Sequence, residues 1–151
     1  MRKVTEDRKL KECRGTGVGS EYIPYVFTRE INSKGTCYNP VDWKHGRQMQ
    51  FLSQGELYAY YITIWNDDVI DIREQFPLEL EKTLEIADYY NIKHPKDRKT
   101  RMTTDMCVFY QGGTSEAISV KVSRKELNND RTVEKLIIEK NIGSLLESLS
   151  E

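Results

Sequence analysis

The chain has few of the residues that mark secreted, membrane-bound or histidine-rich metal proteins. Its 151 residues include only 3 cysteines and 2 histidines. No two cysteines form a C-x-x-C pair and their number is odd, so neither a disulfide framework nor a zinc site is expected. The first residues are charged, and no apolar run is long enough to span a membrane. We therefore expect a cytoplasmic protein without a signal peptide or a membrane segment.

A strong charge of either sign is also absent. The chain has 23 basic and 24 acidic residues, for a formal net charge of −1. This balance neither requires nor excludes nucleic acid as a partner, and any basic surface must be local. A hydrophobic content of 38% and a charged content of 31% are typical of globular proteins, and the length supports one domain with a core.

The apolar periodicity predicts alternating helices and strands. Ser53, followed three residues later by Glu56, matches a capping box at the start of an amphipathic helix. Period-two alternation predicts a strand over 69–76, which Pro77 ends. The other expected elements are helices over 1–13, over 79–90 and from 130, an irregular loop or ribbon over 36–50, and a hairpin of strands at 106–110 and 117–122. This order predicts an α/β fold with a mixed sheet.

Three residues that are far apart in the sequence suggest one site: Glu56, Asp105 and Lys121. Asp105 opens the first strand of the hairpin, and Ser119 and Lys121 lie on the second. Side chains two apart on a strand share a face, so Ser119 and Lys121 point the same way, and the turn can bring Asp105 beside them. Carboxylates that hold a divalent ion, with a lysine that steadies phosphate charge, are typical of metal-dependent phosphodiesterases.

Each of these residues also has a structural interpretation. Asp105 can be a turn or cap residue, and Lys121 can lie on the solvent face of its strand. The Glu56 carboxylate can reach back to the backbone N–H of Ser53, although a cap and a ligand role are compatible. We interpret Arg73 and Glu74 as a structural ion pair.

Two further segments have open interpretations. The glycines at 15, 17 and 19 have the spacing G-x-G-x-G without a preceding strand, so they are not a dinucleotide-binding fingerprint. They form either a flexible hinge or a close approach of the backbone to a phosphate. The basic segment 93–101 is either a solvated surface or a phosphate contact.

A family resemblance rests on motifs that keep their order from residue 12 to residue 140. They are Gly15-x-Gly17-x-Gly19, Glu21-Tyr22-Ile23-Pro24, Leu52-Ser53-x-x-Glu56-Leu57, Val69-Ile70-Asp71-Ile72-Arg73-Glu74-Gln75-Phe76-Pro77-Leu78, Ile92-Lys93-His94-Pro95, Met102-Thr103-Thr104-Asp105, Val120-Lys121 and Arg131-Thr132-Val133-Glu134-Lys135-Leu136. The string D-I-R-E-Q-F-P-L is long enough to be specific. The chain resembles the catalytic domain of TnsA, the endonuclease subunit of heteromeric cut-and-paste transposases.

The resemblance implies a restriction-endonuclease-like fold, in which helices flank a mixed β-sheet. It implies a metal-dependent DNA endonuclease that cleaves the 5′ strand at transposon ends while a partner transposase cuts the 3′ ends. The expected cofactor is Mg²⁺ or Mn²⁺. The expected partners are transposon-end DNA, the transposase subunit and an AAA+ regulator ATPase.

The resemblance also assigns roles to individual residues. Glu56 becomes the helix-borne metal ligand, Asp105 the central metal ligand and Lys121 the catalytic lysine. The position two before the lysine is glutamine in the family and Ser119 here, and the backbone carbonyl of Val120 is a further oxygen ligand. Apart from the resemblance, DNA contacts are expected from six basic side chains, because phosphates must be held near the ion: Arg14, Lys93, Lys96, Arg98, Lys99 and Arg101.

The sequence departs from the family pattern in two respects. Ser119 replaces the glutamine, and the chain ends at Glu151, where family members continue with another strand and a partner-binding domain. We therefore expect residues 1–151 to form the catalytic domain alone, as a fragment or a stand-alone nuclease, with one sheet edge open. The alternative function is a catalytically weak DNA-binding or assembly module with the same fold.

Overall fold

A computed structural model describes residues 3–31, 35–94, 97–121, 125 and 128–149, the last of these from 142 onward by backbone only. Its elements are α1 (Glu6–Lys11), α2 (Gln54–Ile64), β1 (Val69–Pro77), α3 (Leu80–Tyr89), β2 (Thr103–Tyr110), β3 (Ser115–Ile118) and α4 (Asp130–Leu149), with short 3₁₀ turns at Gly19–Glu21 and Thr28–Glu30. The α/β class predicted from the sequence is confirmed. In this described part, no helix is both long and apolar enough to cross a membrane.

Helix α2 begins where the sequence predicts it. Ser53 has an extended backbone, and its Oγ accepts a hydrogen bond from the Glu56 N–H at 3.2 Å. This bond satisfies one of the N–H groups that have no partner at a helix start. Leu57, Tyr60 and Ile64 recur at helical spacing and form the buried face. The cap and the apolar stripe together direct the first turn of α2 toward the sheet.

The three described strands form an antiparallel sheet in the order β1-β2-β3. The predicted hairpin is confirmed, but β3 ends at Ile118, whereas the sequence suggested a strand up to residue 122. The ladder stops because two side chains of β2 take its backbone groups. The Asp105 carboxylate accepts from the Val120 N–H at 2.7 Å, and the Thr104 hydroxyl donates to the Ile118 carbonyl at 3.4 Å. Ser119, Val120 and Lys121 therefore lie just beyond the strand.

Two buried clusters fix the elements around the candidate site. One lies between α2 and the sheet and includes Leu57, Tyr60 and Met106. The other joins α3 and α4 and includes Ala87 and Ile138. Each fully buried leucine, isoleucine or methionine side chain contributes about 1.5–3 kcal/mol. Because the acidic residues 56, 105 and 139 each adjoin a member of these clusters, the core determines where their backbones lie.

Candidate active site

Glu56 lies in the first turn of α2 and is 5% exposed. Its two carboxylate oxygens accept hydrogen bonds from opposite sides, from the Ser53 hydroxyl at 2.9 Å and from Gln75 Nε2 at 2.8 Å. Burial raises the pKa of Glu56, and the negative charge of Asp105 raises this pKa further. A cap at Ser53 and proximity to Asp105 therefore coexist, although the carboxylate meets the Ser53 hydroxyl and not the backbone N–H that the sequence suggested.

Asp105 lies on the central strand and is half-buried. Its Oδ2 accepts the Val120 N–H, which ties the end of β3 to the carboxylate. Val120 also approaches the start of α2, because a Cβ added to Gly55 would lie only 3.0 Å from Val120 Cγ1. The structure thus brings Glu56, Asp105 and the backbone of Val120 to one place.

Glu139 is an acidic residue of this region that the sequence analysis missed. It is 5% exposed on α4, and Lys135 Nζ lies 3.7 Å from its Oε1. Burial raises the pKa of Glu139; Lys135 opposes this effect, the charge of Asp105 adds to it, and Lys121 and Ser119 oppose it more weakly. Helix α4 packs against β3, so Glu139 lies in the same region as Asp105 and Lys121, whose charges both influence its pKa.

A sequence signal for Glu139 did exist. The sequence suggested that α4 faces the core with Leu136, Ile137 and Ile142. The structure buries Ile138 and Glu139 instead, and the side chain of Ile142 lies outside the described part. Glu139 lies three residues after Leu136 and three before Ile142, so a glutamate on the apolar stripe of a helix was the available signal.

The oxygens around Asp105 fit a hard divalent cation. Ser119 Oγ and both carboxylate oxygens of Glu139 are buried and make no hydrogen bond of normal geometry among the described residues, although Lys135 Nζ lies 3.7 Å from Glu139 Oε1 and Ser119 is near enough to lower the pKa of Glu139. Buried oxygens without a well-formed hydrogen bond cost up to about 1–3 kcal/mol each, and a bound cation with its water shell would offset that cost. Carboxylates and a carbonyl are hard oxygen donors, which suit Mg²⁺ or Mn²⁺ rather than zinc.

The carboxylates do not form a complete cage for an ion. Within the described residues, no group of three His, Cys, Asp or Glu side chains is close enough to hold one metal. Glu56 and Asp105 supply two carboxylates, and the carbonyl of Val120 is a third candidate oxygen. The remaining positions would fall to water and substrate phosphate, which is usual for Mg²⁺ sites.

Arg14 is not placed to contact DNA, contrary to the sequence prediction. It is 3% exposed, and its guanidinium contacts Glu30 at 2.6 and 2.8 Å and Glu12 at 2.7 Å. It also packs over the ring of Phe27 at 4.7 Å. A guanidinium already paired with two carboxylates in the interior has no surface to offer a phosphate, so Arg14 has a structural role.

The basic segment 93–101 is heterogeneous. Lys93 and Lys99 are exposed, whereas Arg98 pairs with Asp88 at 3.1 Å. Arg101 is half-buried in a cleft that Lys3, Lys9 and Thr103 also line. Lys96 lies outside the described residues. Because Thr103 and Asp105 share a face of β2, Arg101 is the basic residue of this segment that leads toward the acidic site.

The ion pair expected between Arg73 and Glu74 does not form. Adjacent residues on a strand generally point to opposite faces. Arg73 bonds Asp71 at 2.9 Å, and the fully buried Glu74 bonds Arg47 at 2.8 Å and accepts the Gln50 N–H at 2.7 Å. Burial raises the pKa of Glu74 to about 7, against the opposing effect of Arg47.

The site combines a glutamate at a helix start, an aspartate on the central strand of the sheet and a lysine just after the next strand. This arrangement is that of a restriction-endonuclease-like nuclease. The family model described as "TnsA-like endonuclease N terminal" matches residues 66–145, slightly more than half of the chain. The chain therefore belongs to this family of transposition endonucleases. The match includes Asp105, Lys121 and Glu139 but begins after Glu56.

The chain is also similar to a curated relative. It is 38% identical over 136 residues to "Transposon Tn7 transposition protein TnsA" of Escherichia coli. The aligned region is 88% of this chain and 50% of that protein, so the chain spans about half the length of the curated relative that it matches.

Proposed function

We propose that the chain is a divalent-metal-dependent DNA endonuclease that hydrolyses the 5′ strand at transposon ends. The observation that carries the proposal is the convergence of Glu56 and Asp105 on the backbone of Val120, in a chain of the TnsA-like family. In this proposal, residues 1–151 form the catalytic domain. It acts in the cytoplasm on DNA together with a partner transposase subunit and an AAA+ regulator ATPase.

The described residues divide the chemistry among them. Glu56, Asp105 and the Val120 carbonyl would hold Mg²⁺ or Mn²⁺, which when bound supplies a Lewis acid for the phosphate and lowers the pKa of a bound water. Lys121 supplies a positive charge toward the phosphate oxygens as their negative charge grows. The charge of Lys121 lowers the pKa of Glu139, so the two groups attract each other, although Lys135 is the lysine that pairs with the Glu139 carboxylate.

A nicking assay tests the proposal directly. Supercoiled plasmid that carries a transposon end is incubated with the protein and Mg²⁺ or Mn²⁺, with and without the partner transposase. We expect open-circle product only with the ion, and none with a chelator or with Asp105→Ala. Nicking that persists in chelator, or that Asp105→Ala performs at the parent rate, would contradict the proposal.

The same assay distinguishes the endonuclease from the alternative function, a DNA-binding or assembly module with little turnover. That module would bind transposon-end DNA and its partners but would leave the plasmid supercoiled under every metal condition. We do not favour it, because the chain keeps the helix glutamate, the strand aspartate and the lysine together with the fold.

A further inference from the structure

Gln75 has a backbone conformation that its place in the fold does not explain. Its φ is +46°, in the left-handed region that side-chain-bearing residues seldom adopt. Among the described residues, the other non-glycine positions of this kind are Cys13 and Asn91, which directly follow the caps of α1 and α3. A left-handed residue is common there. Gln75 instead lies inside β1 and is 2% exposed. Such strain costs about 1–3 kcal/mol and persists where surrounding contacts hold it.

Because of the strained backbone, the side chains of Glu74 and Gln75 both contact the backbone of Gln50. Glu74 Oε2 accepts the Gln50 N–H at 2.7 Å, and Gln75 Nε2 donates to the Gln50 carbonyl at 3.4 Å. In a regular strand these neighbours would point to opposite faces. The Gln75 carbonyl is held in turn by the Tyr25 N–H at 3.1 Å and the Tyr22 hydroxyl at 3.2 Å. The left-handed turn of the chain is therefore what brings the Gln75 amide to this side of the sheet.

The amide reaches the candidate site. Gln75 Nε2 donates to Glu56 Oε1 at 2.8 Å. Both of its partners, the Glu56 carboxylate and the Gln50 carbonyl, are acceptors, so the amide must present its nitrogen to them. Glu74 pairs with Met106 and Phe76 with Thr104, so Gln75 stands opposite Asp105 in the register of β1 and β2.

We propose that Gln75 is a positioning residue that orients the Glu56 carboxylate toward Asp105. Ser53 donates to one oxygen of Glu56 from the helix, and Gln75 donates to the other from the strand. Two donors on opposite sides fix the plane of the carboxylate, and each oxygen keeps a second lone pair for a cation. The inference rests on the proposed metal-dependent function and assigns to that site a supporting residue outside its ligand set.

Two substitutions remove the amide contact and leave the backbone conformation accessible. Glycine adopts positive φ at little cost, and asparagine tolerates it better than most residues while its amide is one methylene too short. For Gln75→Gly and Gln75→Asn we expect Mn²⁺ affinity, measured by calorimetry without DNA, to fall about 10–100-fold. The single-turnover nicking rate at subsaturating Mn²⁺ should fall with it. Asn91→Gly is the matched control, because it makes the same kind of change at an exposed left-handed position and should keep the parent affinity.

Thermal unfolding and a double-mutant cycle separate positioning from support of the fold. A purely structural Gln75 would lower the unfolding midpoint and leave the Mn²⁺ affinity of the folded protein at the parent value, and that result would overturn the inference. In a Glu56→Gln background, Gln75→Gly should cause little further loss of affinity, because the two residues act as one unit; a full additional loss would overturn it too. If the parent binds Mn²⁺ no better than Asp105→Ala, the proposed function itself fails, which is a different result.

Discussion

Charges around Asp105 act on one another over short distances. Burial raises the pKa values of both Glu56 and Glu139, and the charge of Asp105 acts on both in the same direction. A cation between these carboxylates would reverse their mutual repulsion, whereas Lys121 and Lys135 only partly offset it at Glu139. At the scale of single residues, each acidic side chain is therefore most stable when a positive charge is present nearby.

Replacing Asp105 and replacing Lys121 should have different effects on metal binding and cleavage. Asp105→Ala should abolish both Mn²⁺ binding and cleavage, because it removes the central carboxylate. Lys121→Ala should leave metal and DNA binding nearly intact and slow cleavage by about 10²–10³, the scale of losing one oriented electrostatic group. Calorimetry with Mn²⁺ and a single-turnover nicking rate measure the two effects. A Lys121→Ala protein that cuts at the parent rate would show that this lysine has no part in the chemistry.

Substitutions at Ser119 test whether the absence of the family glutamine at this position limits Mg²⁺-dependent turnover. The Ser119 Oγ is buried, makes no hydrogen bond of normal geometry among the described residues, and is near enough to Glu139 to lower the pKa of that carboxyl. Ser119→Gln should extend an amide toward Asp105 and raise Mg²⁺-dependent turnover, by about 10-fold if the amide orients a ligand. The comparison is the nicking rate of parent and variant in Mg²⁺ and in Mn²⁺, with Ser119→Ala as the control for loss of the hydroxyl. An unchanged Mg²⁺ rate in Ser119→Gln would indicate that the Val120 carbonyl suffices.

Glu74 should make stability depend on pH. Its folded pKa of about 7 exceeds the ordinary value of 4.5, so the folded state holds the proton more tightly than the unfolded chain. The contribution of protonated Glu74 to the free energy of unfolding is complete below pH 4.5. It is lost as pH rises through 7, at up to about 1.4 kcal/mol per pH unit. Glu74→Gln should flatten this part of the curve in denaturant unfolding at pH 4.5–8. The exposed control Glu81→Gln should keep the parent slope, and an equal slope in both variants would contradict the assignment.

At the scale of elements, caps, prolines and apolar periodicity predicted the helices and strands whose ends depend on neighbouring residues in the sequence. The Ser53 cap located the start of α2, and the period-two run before Pro77 located both ends of β1 to within a residue. The end of β3 was predicted incorrectly because it depends on the side chains of Asp105 and Thr104, which are remote in sequence. Glu139 and Gln75 were missed for the same reason, since their roles depend on contacts between separate elements.

The glycine cluster has a role that neither sequence interpretation described. Gly15 packs against Pro77 at the end of β1, where an added Cβ would lie 2.2 Å from Pro77 Cγ. The Gly19 N–H donates to the carboxylate of Asp71 on the same strand at 3.0 Å. The glycines therefore allow a close approach of the backbone to β1 rather than to a phosphate.

Gly15→Ala should destabilise the fold by this mechanism. The change adds left-handed strain at φ +81° and a clash with Pro77, and we expect a loss of about 2–4 kcal/mol. Gly113 has the same φ of +81° but no atom within 4 Å of an added Cβ, so Gly113→Ala should lose only about 1–2 kcal/mol. Chemical denaturation of both variants measures the difference. Equal losses would show that the Pro77 contact does not matter.

At the scale of the whole molecule, the net charge of −1 offers DNA no general attraction. Binding must therefore come from a local surface that leads to the acidic site. Lys93 and Lys99 are exposed, and Arg101 shares its cleft with Lys3 and Lys9. Arg98 differs from these, because Asp88 already neutralises its charge.

Replacing Lys93, Lys99 and Arg101 together with alanine should weaken DNA binding and reduce its dependence on salt. Each lost phosphate contact lowers the slope of log K against log salt by about 0.9, so three contacts should lower it by about 2.7. Fluorescence anisotropy with a duplex transposon end, in chelator so that no strand is cut, measures the slope. Arg98→Ala is the matched control and should change the slope less than any single replacement of the three, because its pairing with Asp88 must first be broken. If the triple variant keeps the parent slope, the DNA follows another face of the molecule, and the path to Asp105 does not run along this basic segment.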